Sequence, residues 1–285
     1  MSSKIRAIRS QFNRSAAGSY DTHAHVQRKM AGGLAEALTA WKDESGTDRI
    51  NMLEIGCGTG TLTEILYTEW PCSSITALDI APAMIDAAEQ RLRSNYAGYS
   101  NNQPARLHFL HADIEEWAAD CGADSFDLIV SNACFQWLSN PRQTLGHLRR
   151  MLRPGGLLLF TTFGPDTFYE LHEAFNEVYK ASGLEPQRHG LLFQSMAQWR
   201  HSLDAAGFSN IHSQRAIQTE TYASVRDFLH SVKATGASAS EASTVSGISP
   251  RRLFANMYKE YEHKFSIQGG VAATYDLVFV QASVY

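Results

Sequence analysis

Three glycines and a pair of aspartates hold the clearest chemical signal in this 285-residue chain. Gly56, Gly58 and Gly60 occupy alternate positions of Leu53-Glu54-Ile55-Gly56-Cys57-Gly58-Thr59-Gly60, directly after an apolar run. A second apolar run ends in Ala77-Leu78-Asp79, and a third leads into His111-Ala112-Asp113-Ile114. Glycine tolerates positive φ and lets the backbone approach a ligand closely. If the first two runs are adjacent parallel strands, Asp79 lies where a nucleoside ribose would sit beyond the glycine turn. A glycine turn alone is common; its pairing with Asp79 is what makes the signal specific.

The elements that must position these residues alternate. The pattern predicts helix over 4–41 with a break near Ala17-Gly18-Ser19, then strands at 50–55, 74–79, 106–110, 127–131 and 156–162. Helical stretches at 60–69, 82–94 and 141–152 separate them, with Pro82 at a first-turn position and Arg153-Pro154-Gly155-Gly156 as a helix stop and turn. Strands separated by helices imply an α/β fold with a doubly wound, mostly parallel sheet. Beyond Phe163 the reading is helix at 166–182 and 195–206, strand at 210–220, polar helical sequence over 222–265 with a Ser/Ala/Gly-rich stretch at 234–247, and a last strand at 274–284.

In such a sheet, ligands bind beyond the carboxyl ends of the strands at the switch point. The glycine turn, Asp79, Asp113 and the Ser131-Asn132-Ala133 turn all follow strands and should gather there. Asp79 would accept from two ribose hydroxyls. Asp113 would accept from an adenine amino group, cap the helix that begins at Ile114, or do both. Met84 and Ile114 would give apolar contact to the base, with Ile80, Ala112, Asn132 and Ala133 beside them. A dinucleotide fingerprint needs its third glycine three residues after the second. Here Gly60 comes too early and position 61 is Thr61, which favours a nucleoside without a pyrophosphate.

Whole-chain properties narrow the class. Hydrophobic residues make up 44% and net charge is −4, so bulk charge does not point to nucleic acid. No apolar run reaches the ~20 residues of a membrane span, and the start lacks a signal-peptide core. Cys57, Cys72, Cys121 and Cys134 are widely spaced, with no metal-binding pattern. The expectation is a reduced, cytoplasmic protein without a metal. Basic residues cluster at Lys4, Arg6, Arg9, Arg14, Arg28 and Lys29, at Arg149, Arg150 and Arg153, and at Arg251 and Arg252. Each cluster is either a solvated face or a dock for an acidic partner.

The motif set resembles the class I S-adenosylmethionine-dependent methyltransferases. Glu54 to Gly60 is similar to their first motif, Asp79 to the second, His111-Ala112-Asp113 to the third, and Phe126-Asp127-Leu128-Ile129-Val130-Ser131-Asn132 to the fourth. Leu152-Arg153-Pro154-Gly155-Gly156 is similar to the turn before their fifth strand. The resemblance implies S-adenosylmethionine as cofactor and a seven-stranded, Rossmann-like sheet whose last strand is antiparallel.

The flanks are similar to one subgroup, the malonyl-acyl-carrier-protein O-methyltransferases of biotin synthesis. The similarity lies in Phe12-Asn13-Arg14-Ser15-Ala16, Ser19-Tyr20-Asp21 with His25, Phe135-Gln136-Trp137, Thr161-Thr162-Phe163-Gly164 and Lys233-Ala234-Thr235-Gly236-Ala237. Thr274-Tyr275-Asp276-Leu277 continues it, while the acidic-aromatic segment at 257–265 departs from the pattern. This implies methylation of the free carboxylate of a malonyl thioester on an acidic carrier protein. It also implies a division into 1–45, a helical segment over the cofactor; 46–163, the cofactor-binding core; 164–194 and 221–270, a helical cap built from insertions; and 195–220 with 271–285, the rest of the sheet.

A malonyl carboxylate is ionised at neutral pH, so no general base need create the nucleophile. The enzyme must orient it and exclude water. Lys233 is the first candidate to hold it, with Tyr20, Gln136, Trp137, Thr162 and Tyr275 as lining residues. Arg200 or Arg226 would serve bidentately, and Arg14 and His25 would order over the cofactor. Tyr20 is expected to touch cofactor and acceptor alike. The carrier would dock on 4–14 or on Arg251 and Arg252. The competing readings are methylation of a small free carboxylic acid, of nucleic acid, or cofactor binding without turnover. Ser131-Asn132-Ala133-Cys134 lacks the Asn-Pro-Pro-Tyr type of turn that the nucleic-acid reading needs.

Overall fold

A computed structural model describes residues 3–16, 20–45, 49–70, 73–96, 106–236 and 248–285. The expected break at 17–19, Cys72, Ala237 and most of the stretch at 234–247 lie outside them.

The chain opens with helices α1 (Ser3–Ser15), α2 (Tyr20–His23) and α3 (His25–Ser45). The alternating half follows as β1 (Asn51–Ile55), α4 (Thr61–Glu69), β2 (Ser74–Asp79), α5 (Pro82–Asn95), β3 (Leu107–His111), α6 (Ile114–Asp120), β4 (Phe126–Asn132), a 3₁₀ turn (Phe135–Trp137), α7 (Pro141–Met151) and β5 (Leu152–Phe163). The remainder is α8 (Tyr169–Ala181), α9 (Met196–Ala206), β6 (Ser209–Tyr222), α10 (Val225–Ala234), α11 (Pro250–Phe265), β7 (Ser266–Ile267) and β8 (Gly270–Ser283).

The strands form one sheet in the order β3-β2-β1-β4-β5-β8-β6. The first five are parallel and β8 runs antiparallel to both neighbours, as the family resemblance implied. The two-residue β7 adds an eighth, short strand by turning back onto the start of β8. The order reverses between β1 and β4, so the crevice opens above that pair. Leu53, Ile55, Ile129, Leu158 and Phe160 pack under α6, α7 and α9 on one face. Met52, Leu128, Val130 and Leu159 pack under α3, α4 and α5 on the other. Burial on both faces explains the unbroken apolar runs of β1 and β4. A third core joins α8, α10 and α11 to Val26 and Met30 of α3 and to Tyr275 and Leu277 of β8.

Three local differences from the expected elements have plain causes. The segment at 153–156 is not a free turn: it belongs to β5, with a register shift against β4 and Gly155 at φ +80°. Helix α8 begins at Tyr169 rather than 166, because Phe168 sits in the left-handed region (φ +61°) and its N–H is bound to Thr274 O at 2.7 Å. Helix α4 begins at Thr61 because Gly60, at φ +85°, is its N-cap. Among the described residues no helix is long and apolar enough to cross a membrane.

Candidate functional site

The glycine turn closes on β2 by backbone bonds. Leu78 O accepts the N–H groups of Gly56 (2.8 Å) and Cys57 (3.0 Å). Gly58 N–H donates to Asp79 Oδ2 at 2.9 Å and Ala81 N–H to Asp79 Oδ1 at 2.8 Å. Gly56 must be glycine twice over: its φ is +73°, and a Cβ there would lie 2.5 Å from Cys134 Sγ. At Gly58 a Cβ would meet no protein atom within 4 Å, so this part of the turn faces open space. Burial raises the Asp79 pKa while the surrounding amides oppose it. A carboxylate has about four acceptor positions, so two amides leave room for two hydroxyls.

Asp113 divides its carboxylate. Oδ1 caps α6 by accepting Glu115 N–H at 3.0 Å, and Oδ2 is buried without a partner. The capping role expected of Asp113 is present, and Oδ2 is left as an unpartnered acceptor. A cavity of about 760 Å³, counting its mouth, runs from the glycine turn past Asp79 to Asp113. Of the residues expected at a nucleoside, Tyr20, Gly56, Gly58, Asp79, Ile80, Met84, Ala112, Asp113, Ile114, Asn132 and Ala133 all line it.

Glu54 and Gly60 do not line this cavity. Gly60 lies beneath the turn, where its Cα closes on Ala88 and a Cβ would come within 2.8 Å of the Ala88 methyl. Glu54 is buried behind the turn and accepts from Thr63 Oγ1 at 2.6 Å. It faces a smaller neighbouring cavity shared with Tyr20, Gly56 and Asn132. Burial pushes its pKa up to about 8.

A second cavity, about 520 Å³ counting its mouth, adjoins the first, and the two share Phe12, Tyr20, Ala133 and Trp137. Gln136, Trp137 and Tyr275, expected on the acceptor side, line it together with Tyr20. The Gln136 amide is fixed: Nε2 donates to Ala133 O at 2.7 Å and Oε1 accepts from Thr162 Oγ1 at 3.0 Å. Thr162 therefore positions Gln136 and does not line the cavity. Tyr275 and Tyr222 bring their hydroxyls to 2.6 Å. Burial, reinforced by the Asp79 carboxylate, holds the Tyr20 phenol well above its ordinary pKa, and burial does the same for Tyr275. Both stay protonated and able to donate.

Lys233 is misplaced by the sequence reading. It is exposed, and the face of α10 turned to the second cavity carries Ser231 and Thr235. At 100° per residue, a side chain two positions from either cannot share their face. Arg200 and Arg226 are exposed and line neither cavity. Arg14 is exposed, and His25 is paired with Glu220 at 3.0 Å instead of lying over the cofactor side.

Helix α1 belongs to the segment expected over the cofactor, but its lining residues were not singled out from the sequence. Ile5, Ile8 and Phe12 point into the first cavity, and Phe12 also reaches the second, packing edge-on against Trp137 at 5.4 Å. Their i, i+3, i+7 spacing on a basic helix was the available signal. Gln11 Nε2 ties α1 to Gly236 O at 2.6 Å. Helix α2 is latched to the glycine turn through Asp21, which accepts from Thr59 Oγ1 and pairs with Arg91, both at 2.6 Å.

The basic clusters separate. Arg150 donates to carbonyls at the end of α6, Arg153 Nη1 donates to both carboxylate oxygens of Asp127, and Arg149 reaches Gly207 O. Arg28 and Lys29 are engaged by Asp21 O and Glu220. Lys4, Arg6, Arg9 and Arg14 of α1, and Arg251 and Arg252 of α11, make no ion pair among the described residues.

The site thus has two adjoining cavities, one bounded by a glycine turn and carboxylates, the other by aromatics and neutral donors. Burial pushes the Cys134 thiol up to about 12 and raises Cys57 well above its usual value, so neither is a ready nucleophile. Among the described residues no group of three or more His, Cys, Asp and Glu is arranged to hold a metal. The arrangement suits transfer between two bound molecules without a covalent enzyme intermediate.

Comparison with known proteins gives a consistent picture. The methyltransferase domain family matches residues 22–213. A malonyl-[acyl-carrier protein] O-methyltransferase of Paenibacillus sp. (strain JDR-2) is 57% identical over 99% of this chain and 100% of its own. One from Brevibacillus brevis is 42% identical over 97% of this chain and 95% of its own. Among solved structures, the YcgJ protein of Bacillus subtilis superposes with a TM-score of 0.56 at 15% identity, covering 83% of this chain and 92% of its own. That last likeness concerns the fold.

Proposed function

This chain belongs to the methyltransferase domain family, within its group of malonyl-[acyl-carrier protein] O-methyltransferases, and from that premise we propose its reaction. It esterifies the free carboxylate of a malonyl group on an acyl-carrier protein, with S-adenosylmethionine as methyl donor. The product is the malonyl methyl ester that primes the pimeloyl chain of biotin synthesis, a cytoplasmic step. The observation that carries this reading is the wall of Phe12, Tyr20, Ala133 and Trp137 shared by the two cavities.

The first cavity fits the donor on two counts. The unpartnered Asp113 Oδ2 is a buried acceptor in want of a donor such as an adenine amino group, and Gly58 leaves backbone open to a ligand. Asp79 would take the ribose hydroxyls, and Met84 and Ile114 the base. Glu54, Tyr20, Gly56 and Asn132 bound the smaller cavity suited to the amino-acid end. When bound, the cofactor supplies a sulfonium methyl group, and the electron pair of its C–S bond leaves with sulfur as the carboxylate oxygen bonds to carbon.

The chain's own residues align and dry the acceptor. Phe12, Trp137 and Tyr275 wall it, and water exclusion strengthens every polar contact inside. The Tyr20 hydroxyl, at the junction, orients the acceptor as a protonated donor. Gln136 and Thr162 hold the Ala133 turn between the cavities. The described parts of the segments 164–194 and 221–270 supply the cap over this side.

We assign carrier docking to α1. Its apolar stripe lines both cavities while Lys4, Arg6 and Arg14 face outward, so an acidic carrier bound there would sit on the same helix that closes the site. Mass spectrometry of malonyl-carrier protein incubated with enzyme and S-adenosylmethionine tests the whole reading. A mass gain of one methyl group on the malonyl arm is expected. No gain, with turnover on a free polycarboxylic acid instead, would reverse the acceptor assignment.

A further inference from the structure

The second cavity has an unusual lining for an anionic guest. Among the described residues, none that lines it is Lys, Arg, Asp or Glu. Of these described lining side chains, His23 is the one that can become a cation. Helix α2 puts His23 three residues after Tyr20, hence on the same face. Tyr20 stands where the two cavities meet, and His23 stands one turn farther into the second.

We propose that His23 recognises the acceptor's carboxylate as an imidazolium, taking up a proton as the acceptor binds and releasing it once the ester has formed. The nature of the acceptor rests on the function proposed above; the role of His23 does not.

The surroundings of His23 support a switchable charge. From α10, the His230 ring meets it edge-on at 5.1 Å. From α3, His25 is turned to Glu220 of β6 at 3.0 Å, and Glu220 also takes Lys29 at 3.0 Å. Asp21, on α2 itself, is spent on Thr59 and Arg91. The Tyr222 and Tyr275 hydroxyls, from β6 and β8, are bonded to each other. Among the described residues, therefore, no carboxylate pairs with His23. Burial, then His230 and His25, hold its pKa below the ordinary value, so it is neutral near pH 7 until an anion arrives. A carboxylate in contact favours the charged form and raises that pKa.

Esterification gives the physical reason for histidine here. The reaction converts an anion into a neutral ester. A lysine or arginine would be left as an uncompensated, poorly solvated charge beside the product. Imidazole can return its proton to water, so no such charge remains to oppose product formation.

The test uses His23→Gln, which keeps an N–H donor and loses the charge, in the full-length enzyme. Malonyl-carrier protein is titrated calorimetrically in two buffers of different protonation enthalpy. Wild type should take up a proton at neutral pH, His23→Gln should not, and acetyl-carrier protein, which lacks the free carboxylate, should show no uptake with either. KM for malonyl-carrier protein should rise about ten- to hundredfold in the variant, the range of a charge-assisted hydrogen bond, with kcat changed less than about threefold. The wild-type KM should climb with pH above neutrality while that of the variant stays flat. His230→Ala, outside the cavity, should move this pH limb upward by removing a neighbour that disfavours the charged form. Proton uptake or an unchanged KM in His23→Gln would overturn the proposal. If wild type ignored malonyl-carrier protein yet took up a proton with a free tricarboxylate, the acceptor reading would fall and the role of His23 would stand.

Discussion

Asp113 Oδ1 accepts the N–H of Glu115 at 3.0 Å, while Asp113 Oδ2, on the same carboxylate, is buried with no partner. One side chain thus starts a helix and offers a ligand-facing acceptor. The two functions can be separated. Asp113→Asn retains an oxygen for the cap but presents N–H₂ where an acceptor is needed. It should keep its thermal stability and bind S-adenosylmethionine about tenfold more weakly by calorimetry. Asp113→Ala should weaken binding similarly and also lose about 1 kcal/mol of stability with the cap. Equal affinity in wild type and Asp113→Asn would remove the adenine assignment.

Glu54 gives a pH dependence of stability with a definite sign. Its folded-state pKa is raised by burial from 4.5 to about 8, so the folded form prefers the protonated acid. The associated stability is fully present below about pH 4.5 and is lost as pH rises towards 8. Glu54→Gln keeps an acceptor for Thr63 and cannot ionise. Its melting temperature should match wild type near pH 5 and exceed it at pH 8.5. Parallel melting curves across that range would show that Glu54 does not titrate as its burial implies.

Asp276 is fully buried and depends on Arg215, whose Nε and Nη2 donate at 2.7 and 3.0 Å. The same aspartate accepts Asp166 N–H at 3.1 Å, and its backbone carbonyl accepts Gly164 N–H at 2.7 Å. Arg215→Ala should cost about 3–5 kcal/mol in chemical denaturation by stranding a buried charge. Replacing both partners, as Arg215→Met with Asp276→Asn, should recover a part of that loss. Additive losses would deny the coupling.

The two remaining basic clusters make different predictions. The triple change Lys4→Glu, Arg6→Glu and Arg14→Glu should raise KM for malonyl-carrier protein about tenfold at low salt, and added salt should shrink the difference. Turnover of a small malonyl thioester without carrier should be unaffected. Charge reversal at Arg251 and Arg252 should do little. The opposite pattern would move the dock from α1 to α11.

Much of the donor side was legible from sequence because it is built from local rules. Glycines at strand-to-helix turns, carboxylates at strand ends and Pro82 at a helix start have meanings set within a few residues. Hence the elements from β1 to β4 and the donor-side residues other than Glu54 and Gly60 came together as read. Glu54 lies behind the turn and bounds the smaller neighbouring cavity instead of the first, since strand alternation shows a face but not what covers it.

The acceptor side depends on contacts across long sequence distances, and sequence reading was weaker there. Phe12 meets Trp137 and Gly236, His23 meets His230, and Tyr275 meets Tyr222. Lys233 has the charge a carboxylate would seek but stands on the outer face of α10, whereas His23 had no motif to announce it. By itself the sequence determined the fold class, the donor crevice and, through resemblance, the chemistry, because strand-end motifs and binary patterns are local. Only the tertiary structure decided which side chains converge on the second cavity. That choice depends on how α1, α2 and α10 pack over the sheet, and no spacing along the chain encodes it.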